Sequence, residues 1–322
     1  MHPFLRPFRF RNGASLPMRV LPGPMDGITE GSFLQVLSQA GCAPAWFTPF
    51  IHISNGVPRT ARLRLALRPF QETGLPVIAQ IMSSRMELLP PTARKLHDIG
   101  ALCVDVNCAC PSKTVVHSRS GGALLQNPAW IAQAISLMKE SCGNNPVSVK
   151  IRTGFRSPDE MQGIAAALRE ARPDIVFCHY RTVLEGYAPL PPETRTLRFS
   201  QLRRLLPDLP LFASGDIFTL QDIRKMAELG LDGALVARGF LRNPAILQAL
   251  QAEGTPLSEE QLWHLLIQIG EASRRTPAHW GFLLPVARNM FGADAPATQR
   301  LVKIVSGQEP PPKILEYGRP LE

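Results

Sequence analysis

No stretch of this chain approaches the roughly 18 consecutive apolar residues of a membrane-spanning helix, which argues against a helical membrane protein. Met1–Arg19 is basic but carries no apolar run long enough for a secretory signal, so a cytoplasmic protein is expected. The six cysteines (42, 103, 108, 110, 142 and 178) form no CxxC pair and have no histidine at zinc spacing, so no metal site is expected. Cys108 and Cys110 would share one face of an extended strand, too close for an ordinary disulfide, and reduced thiols follow. Charged residues are 19% against 45% apolar, a balance that excludes a disordered chain. A G-x-G-x-x-G turn is also missing after the first strand pattern, where Pro22-Gly23-Pro24-Met25-Asp26-Gly27 stands instead, so a dinucleotide-binding Rossmann domain is disfavoured.

What is present is alternation. Short runs apolar on both faces, as buried parallel strands must be, lie at 19–25, 44–51, 75–82, 102–108, 147–153, 174–180, 209–214 and 233–238. Amphipathic helical patterns separate them at 29–40, 86–100, 127–142, 157–171, 199–206, 219–229 and 243–250. Asn127-Pro128 and Ser157-Pro158-Asp159-Glu160 read as helix starts, a capping side chain followed by proline at the first helical position. The second unit is exceptional: 52–73 is rich in arginine and leaves room only for a short helix. Eight strand-helix units in about 230 residues predict an α/β fold of the (β/α)8 TIM-barrel class, followed by a small all-α domain with helices at 258–275, 279–291 and 297–305. The expected division is a basic extension (1–18), a barrel (19–253), a helical domain (254–307) and an extended tail (308–322) opened by Pro310-Pro311-Pro312.

In such barrels the site lies at the carboxyl ends of the strands. Those positions hold Asp26, Gln80, Asn107 and Cys110, Lys150 and Arg152, His179 and Arg181, Ser214 and Asp216, and Arg238. Cys110 ends an apolar strand against Pro111 and precedes a basic loop, a placement suited to proton transfer; a buried packing cysteine is the plainer alternative. Lys150 alternates with apolar neighbours and so points into the barrel mouth, where its ammonium needs an anion or an electron-rich ring. Ser214-Gly215-Asp216 and Ala237-Arg238-Gly239 follow strands 7 and 8, the usual phosphate site of this fold, and with Lys150 they point to FMN.

These residues carry a resemblance. Pro24-Met25-Asp26-Gly27 resembles the P-M-x-G opening of the tRNA-dihydrouridine synthases, Asn107-Cys108-Ala109-Cys110-Pro111 their N-x-G-C-P, and Lys150-Ile151-Arg152 their K-x-R. His179-Tyr180-Arg181-Thr182 with Tyr187 is similar to their H-x-R-T…Y, and Ser214-Gly215-Asp216 and Arg238-Gly239 to their phosphate turns. The segment from Cys108 to Val115 looks most like the branch acting on uridine 16 of the tRNA D-loop. The match covers about 20–250, in order. It implies that FMN meets Pro24, Met25, Asp26, Gln80, Lys150 and His179, with its phosphate on Ser214, Gly215, Asp216, Ala237 and Arg238. It further implies that Asn107, Arg152 and Arg181 face the target nucleotide, that Cys110 is the proton donor, and that NADPH is the transient hydride source. Ser214 stands for the family's Asn, Ala237 and Ala109 for its Gly.

The formal charge of +9 and a pI near 9.6 favour a polyanionic partner, here tRNA. Arg59 and Arg62, with Arg64, Lys113, His117 and Arg119, are expected to form the basic rim, whereas 257–322 is neutral, with seven Lys/Arg against seven Asp/Glu. A monomer is expected. Competing readings are an FMN barrel acting on a small free pyrimidine-like substrate, another RNA target, and an RNA-binding barrel without catalysis.

Overall fold

The computed structural model describes residues 2–252 and 256–312. Eight parallel strands form a nearly closed barrel: β1 (Val20–Pro22), β2 (Trp46–Phe47), β3 (Val77–Met82), β4 (Cys103–Cys108), β5 (Val147–Arg152), β6 (Ile175–His179), β7 (Leu211–Ser214) and β8 (Gly233–Val236). Hydrogen bonding runs β1-β8-β7-β6-β5-β4-β3-β2, leaving the seam between β1 and β2. The helices outside are α1 (Gly31–Gln39), α2 (Thr60–Gln71), α3 (Leu89–Asp98), α4 (Pro128–Cys142), α5 (Met161–Ala171), α6 (Pro192–Leu205), α7 (Leu220–Glu228), α8 (Arg238–Arg242) and α9 (Ile246–Ala252). A helical C-terminal region follows with α10 (Glu259–Ala272), α11 (Leu284–Met290) and α12 (Pro296–Val305). It docks α10 on α1 and joins the barrel through the Arg275–Glu30 ion pair at 3.1 Å. The boundary at 253–254 and the tail beyond Pro312 lie outside the described residues.

Three elements differ from expectation. The second strand is split: Pro49, which has no N–H for the ladder, separates Trp46–Phe47 from a second short pairing of Ile51–His52 with the end of β3. The arginine-rich second unit forms a full twelve-residue helix, because Leu63, Leu67 and Phe70 recur at helical spacing and bury while the arginines stay on the outer face. After β8 the chain turns directly into α8, and Asn243-Pro244 marks the break before α9 rather than the first helical turn.

The N-terminal extension is more than a basic arm. Its strands Phe8–Arg9 and Ser15–Leu16 form an antiparallel hairpin whose Phe8, Phe10 and Leu16 seal the bottom of the barrel. Phe8 meets Phe212 edge-on at 5.6 Å, and Phe47, Phe177 and Phe212 interlock above it. Along β3, β4, β6 and β7 the inward side chain changes character further up: Ile78 gives way to Gln80, Cys103 to Asp105 and then Asn107, Phe177 to His179, Phe212 to Ser214. The floor is aromatic and the mouth polar.

Around that same bottom end, side chains of one helix cap the last carbonyls of the next. Gln248 of α9 donates to Ala40 after α1 (2.5 Å), and Gln71 of α2 to Ile99 after α3 (2.6 Å). Arg94 of α3 donates to Ser141 of α4 (3.1 Å), and Lys139 of α4 to Arg172 after α5. Arg169 of α5 reaches Leu205 of α6 (2.6 Å), and Arg203 of α6 reaches Gly230 after α7 (3.4 Å).

Candidate active site

The mouth opens into a cleft of about 440 Å³, within the range of small-ligand sites. Of the eleven residues expected to hold a cofactor, ten line it: Pro24, Met25, Asp26, Lys150, His179, Ser214, Gly215, Asp216, Ala237 and Arg238. Gln80 is the exception. It is fully buried, and both ends of its amide are engaged below the cleft, by Asp105 and Asn107.

Lys150 reaches the cleft from β5. Among the described residues no acceptor hydrogen-bonds to its ammonium; burial and the neighbouring Arg152 charge push it down to about 8, with Asp105 pulling the other way. His179 is held well below its usual value by burial first and then by Arg152, Lys150, Arg181 and Arg238, so the ring is neutral at pH 7. Its Nδ1 accepts the Arg181 backbone N–H at 3.2 Å, which places the ring proton on Nε2. Gly215 lies against that edge: its φ is +102°, and a Cβ there would stand 2.8 Å from Nε2. Only glycine allows this approach.

Asp216 also has left-handed backbone, at φ +49°. Its carboxylate accepts from the Tyr180 hydroxyl (2.7 Å), Arg181 Nη2 (2.6 Å) and Arg238. Burial raises this carboxyl, but the Arg181 and Tyr180 hydrogen bonds and the Arg181 and Arg238 charges outweigh it and hold it below the usual carboxylate range. Ser214 Oγ has no protein partner among the described residues and is open to a ligand. Ala237 is accommodated because it faces Gly23, where an added Cβ would lie 3.2 Å from that of Ala237. Ala109 likewise needs no left-handed backbone, since it is absent from the positive-φ residues. A cleft with an unpartnered ammonium, a neutral imidazole N–H, a free hydroxyl and two tight turns fits a planar ligand bearing a phosphate.

Cys110 is half-buried, whereas the other five cysteines are buried and all six are free thiols. It does not line the cleft itself. It sits just past the end of β4, where Lys150 and Arg152 both interact with it electrostatically. Its backbone N–H donates to Asn107 Oδ1 at 2.9 Å, and its carbonyl accepts from Gly122 at 3.0 Å.

The three residues expected to face a nucleotide all make hydrogen bonds within the protein. Asn107 spends Oδ1 on the Ala109 and Cys110 amides and Nδ2 on Gln80 (2.8 Å). Arg152, 2% exposed, donates to the carbonyls of Ala109 (2.7 Å), Thr182 (3.0 Å) and Gly186 (2.8 Å), clamping the Cys110 loop to the loop after β6. Arg181 bonds Ala188 (2.7 Å) and Asp216, leaving a buried Nη1 without a partner among the described residues. Arg59 and Arg62 stand exposed at the start of α2, and among the described residues neither meets a carboxylate.

Further residues complete the surroundings of the cleft. Tyr187 is 62% exposed at the cleft, between the Arg152 (5.3 Å) and Arg238 (5.6 Å) guanidinium groups, and edge-on to His179 at 6.1 Å. Its loop is tied down by Glu185, which accepts two hydrogen bonds from Arg198 (2.6 and 2.7 Å). Phe218 and Asn289 complete the wall, the latter from α11, and no local pattern announces either. Asp105 lies fully buried beneath, its signal being an acid inside a strand that carries no other charge.

Comparison with known proteins bears on these features. A family model described as dihydrouridine synthase matches residues 20–275. The tRNA-dihydrouridine(16) synthase of Pseudomonas putida is 30% identical over 260 residues, covering 78% of this chain and 79% of that protein. The enzyme of that name from Aquipseudomonas alcaligenes is 28% identical over 270 residues, covering 80% and 84%. Among solved structures, the old yellow enzyme homologue of Zymomonas mobilis superposes with a TM-score of 0.58 at 13% identity, over 80% of this chain and 96% of that one. Morphinone reductase does so at 0.56 and 12%, over 79% and 91%. At such identities the structural likeness concerns the fold alone.

Proposed function

The chain belongs to the dihydrouridine synthase family, and from that premise we propose that it reduces the C5–C6 double bond of uridine in tRNA to dihydrouridine. The position read here is 16 of the D-loop, the one in the names of the relatives above. FMN is the cofactor, NADPH its reductant, and the enzyme works as a monomer. The observation that carries this reading is the pairing of a cleft lined by Lys150, His179 and the turns after β7 and β8 with one half-buried thiol beyond the end of β4.

Pro24, Met25, Asp26, Lys150 and His179 would hold the flavin ring, and Ser214, Gly215, Asp216, Ala237 and Arg238 its phosphate. Bound there, FMN supplies the hydride for C6 of the uracil. Cys110 gives the proton to C5. The base must leave its stack to reach the cleft, and Tyr187 offers an exposed aromatic face at the rim for it. Arg152 acts through position: it fixes the Cys110 loop against the Tyr187 loop.

Cys110→Ala tests the assignment. Purified with its flavin and given tRNA lacking dihydrouridine, the variant should retain flavin reduction by NADPH and lose uridine reduction by about 100-fold or more, the contribution of a placed acid. Wild-type dihydrouridine formation in this variant would remove Cys110 from the chemistry.

A further inference from the structure

Beneath the mouth, four side chains form a directed chain. Ser148 Oγ donates to Asp105 Oδ1 (2.7 Å), and Gln80 Nε2 donates to Asp105 Oδ2 (2.8 Å). The other end of the Gln80 amide, Oε1, accepts from Asn107 Nδ2 (2.8 Å). That leaves Asn107 Oδ1 to accept the Ala109 and Cys110 amides at 3.0 and 2.9 Å. All four side chains are buried.

An amide side chain fits its pocket either way round, and only its partners decide which end is oxygen. Here fixed groups stand at both ends, Asp105 at the bottom and two backbone N–H donors at the top. Both Asp105 oxygens accept, so the Gln80 NH2 must point down, its oxygen up, the Asn107 NH2 down, and the Asn107 oxygen toward the loop. Were Asn107 reversed, it would present N–H groups to two backbone N–H groups; were Gln80 reversed, its NH2 would face that of Asn107, and either way the chain to the Cys110 loop would break. We propose that Asp105 is a positioning residue that, through Gln80 and Asn107, sets the conformation of segment 108–111 and hence the location of the Cys110 sulfur. Asp105 neither lines the cleft nor bonds the thiol; apart from its charge on Lys150, it reaches the Cys110 loop through the two amides.

Because Cys110 is the only cysteine that is not buried, its alkylation rate in the native protein reports the loop directly and independently of any substrate. In full-length protein of matched flavin content, Asp105→Leu should change the rate of Cys110 alkylation by iodoacetamide, mapped by mass, about 10-fold, as expected when a buried acceptor of this kind is lost. Gln80→Met, which cuts the chain higher up and leaves Ser148 on Asp105, should give the same change. It serves as the deciding variant where Asp105→Leu does not fold. The double variant should be no worse than either single one, since residues acting as one unit are not additive. A wild-type alkylation rate in Gln80→Met, or additive effects in the pair, overturns the proposal. The kinetic arm rests on the proposed function: kcat for uridine reduction should fall with KM for tRNA unchanged. Altered alkylation with unaltered kcat would count against Cys110 as proton donor, not against the positioning of its loop.

Discussion

His179 shows how burial decides the chemistry of one side chain. Buried among Lys150, Arg152, Arg181 and Arg238, it cannot take up a proton that the unfolded chain accepts near pH 6.5. The unfolded state therefore binds more protons below that pH, and the stability that His179 confers is present above it and lost as pH falls. Asp216 and Glu185, held low by arginine partners, add a second loss in the same direction at more acid pH. His179→Gln should accordingly flatten the decline of unfolding free energy between pH 7 and about 5. Denaturant titrations at several pH values read this out, and an unchanged slope would place the acid sensitivity elsewhere. Asp105 is the opposite case: burial pushes its carboxyl up to about 7 despite hydrogen bonds from Gln80 and Ser148 and the Lys150 charge.

Between neighbouring helices the capping side chains do the joining. Arg203 is the most heavily engaged, bonding Asp232 (2.8 Å), the Leu209 carbonyl (2.8 Å), Gly230 and Leu206. Arg203→Met should cost about 1–3 kcal/mol, the range for charge-assisted bonds with partly buried partners, and Arg169→Met distinctly less, since Arg169 lies exposed with a single carbonyl. Equal costs in chemical denaturation would show that the caps are equivalent decoration. At this scale the sequence was largely legible. Parallel strands covered by helices must be apolar on both faces, and the Asn127 and Ser157 caps appear as read, accepting the Trp130 and Asp159 amides. It failed where one signal masked another: the arginines of α2 hid the Leu63-Leu67-Phe70 stripe, and Pro49 cut a strand that composition alone made continuous. The site was legible wherever a residue's place followed from its strand end, as for Lys150, His179 and Ser214. The partners of Gln80, Asn107, Arg152 and Arg181 were not legible, because they come from other strands and loops and so appear only when the barrel closes.

Across the whole molecule the +9 charge divides by location. Arg94, Lys139, Arg169 and Arg203 serve helix ends at the sealed end, and Arg152, Arg181, Arg195 and Arg198 bind loops internally. Net charge alone therefore overstates the surface offered to a polyanion. Arg59 and Arg62, exposed beside the mouth, are the better candidates. Arg59→Glu with Arg62→Glu should raise KM for tRNA and reduce the slope of log affinity against log salt by about 1 per residue. Unaltered salt dependence would mark that helix start as plain solvated surface.

The aromatic floor has a consequence for traffic. With Phe8, Phe10 and Leu16 corking one end, a reactant enters and leaves only on the side where Cys110, Tyr187 and the cleft face outward. On the function proposed here, a dinucleotide reductant and a folded RNA would contend for one doorway, so each must depart before the other is admitted and catalysis proceeds in alternating visits.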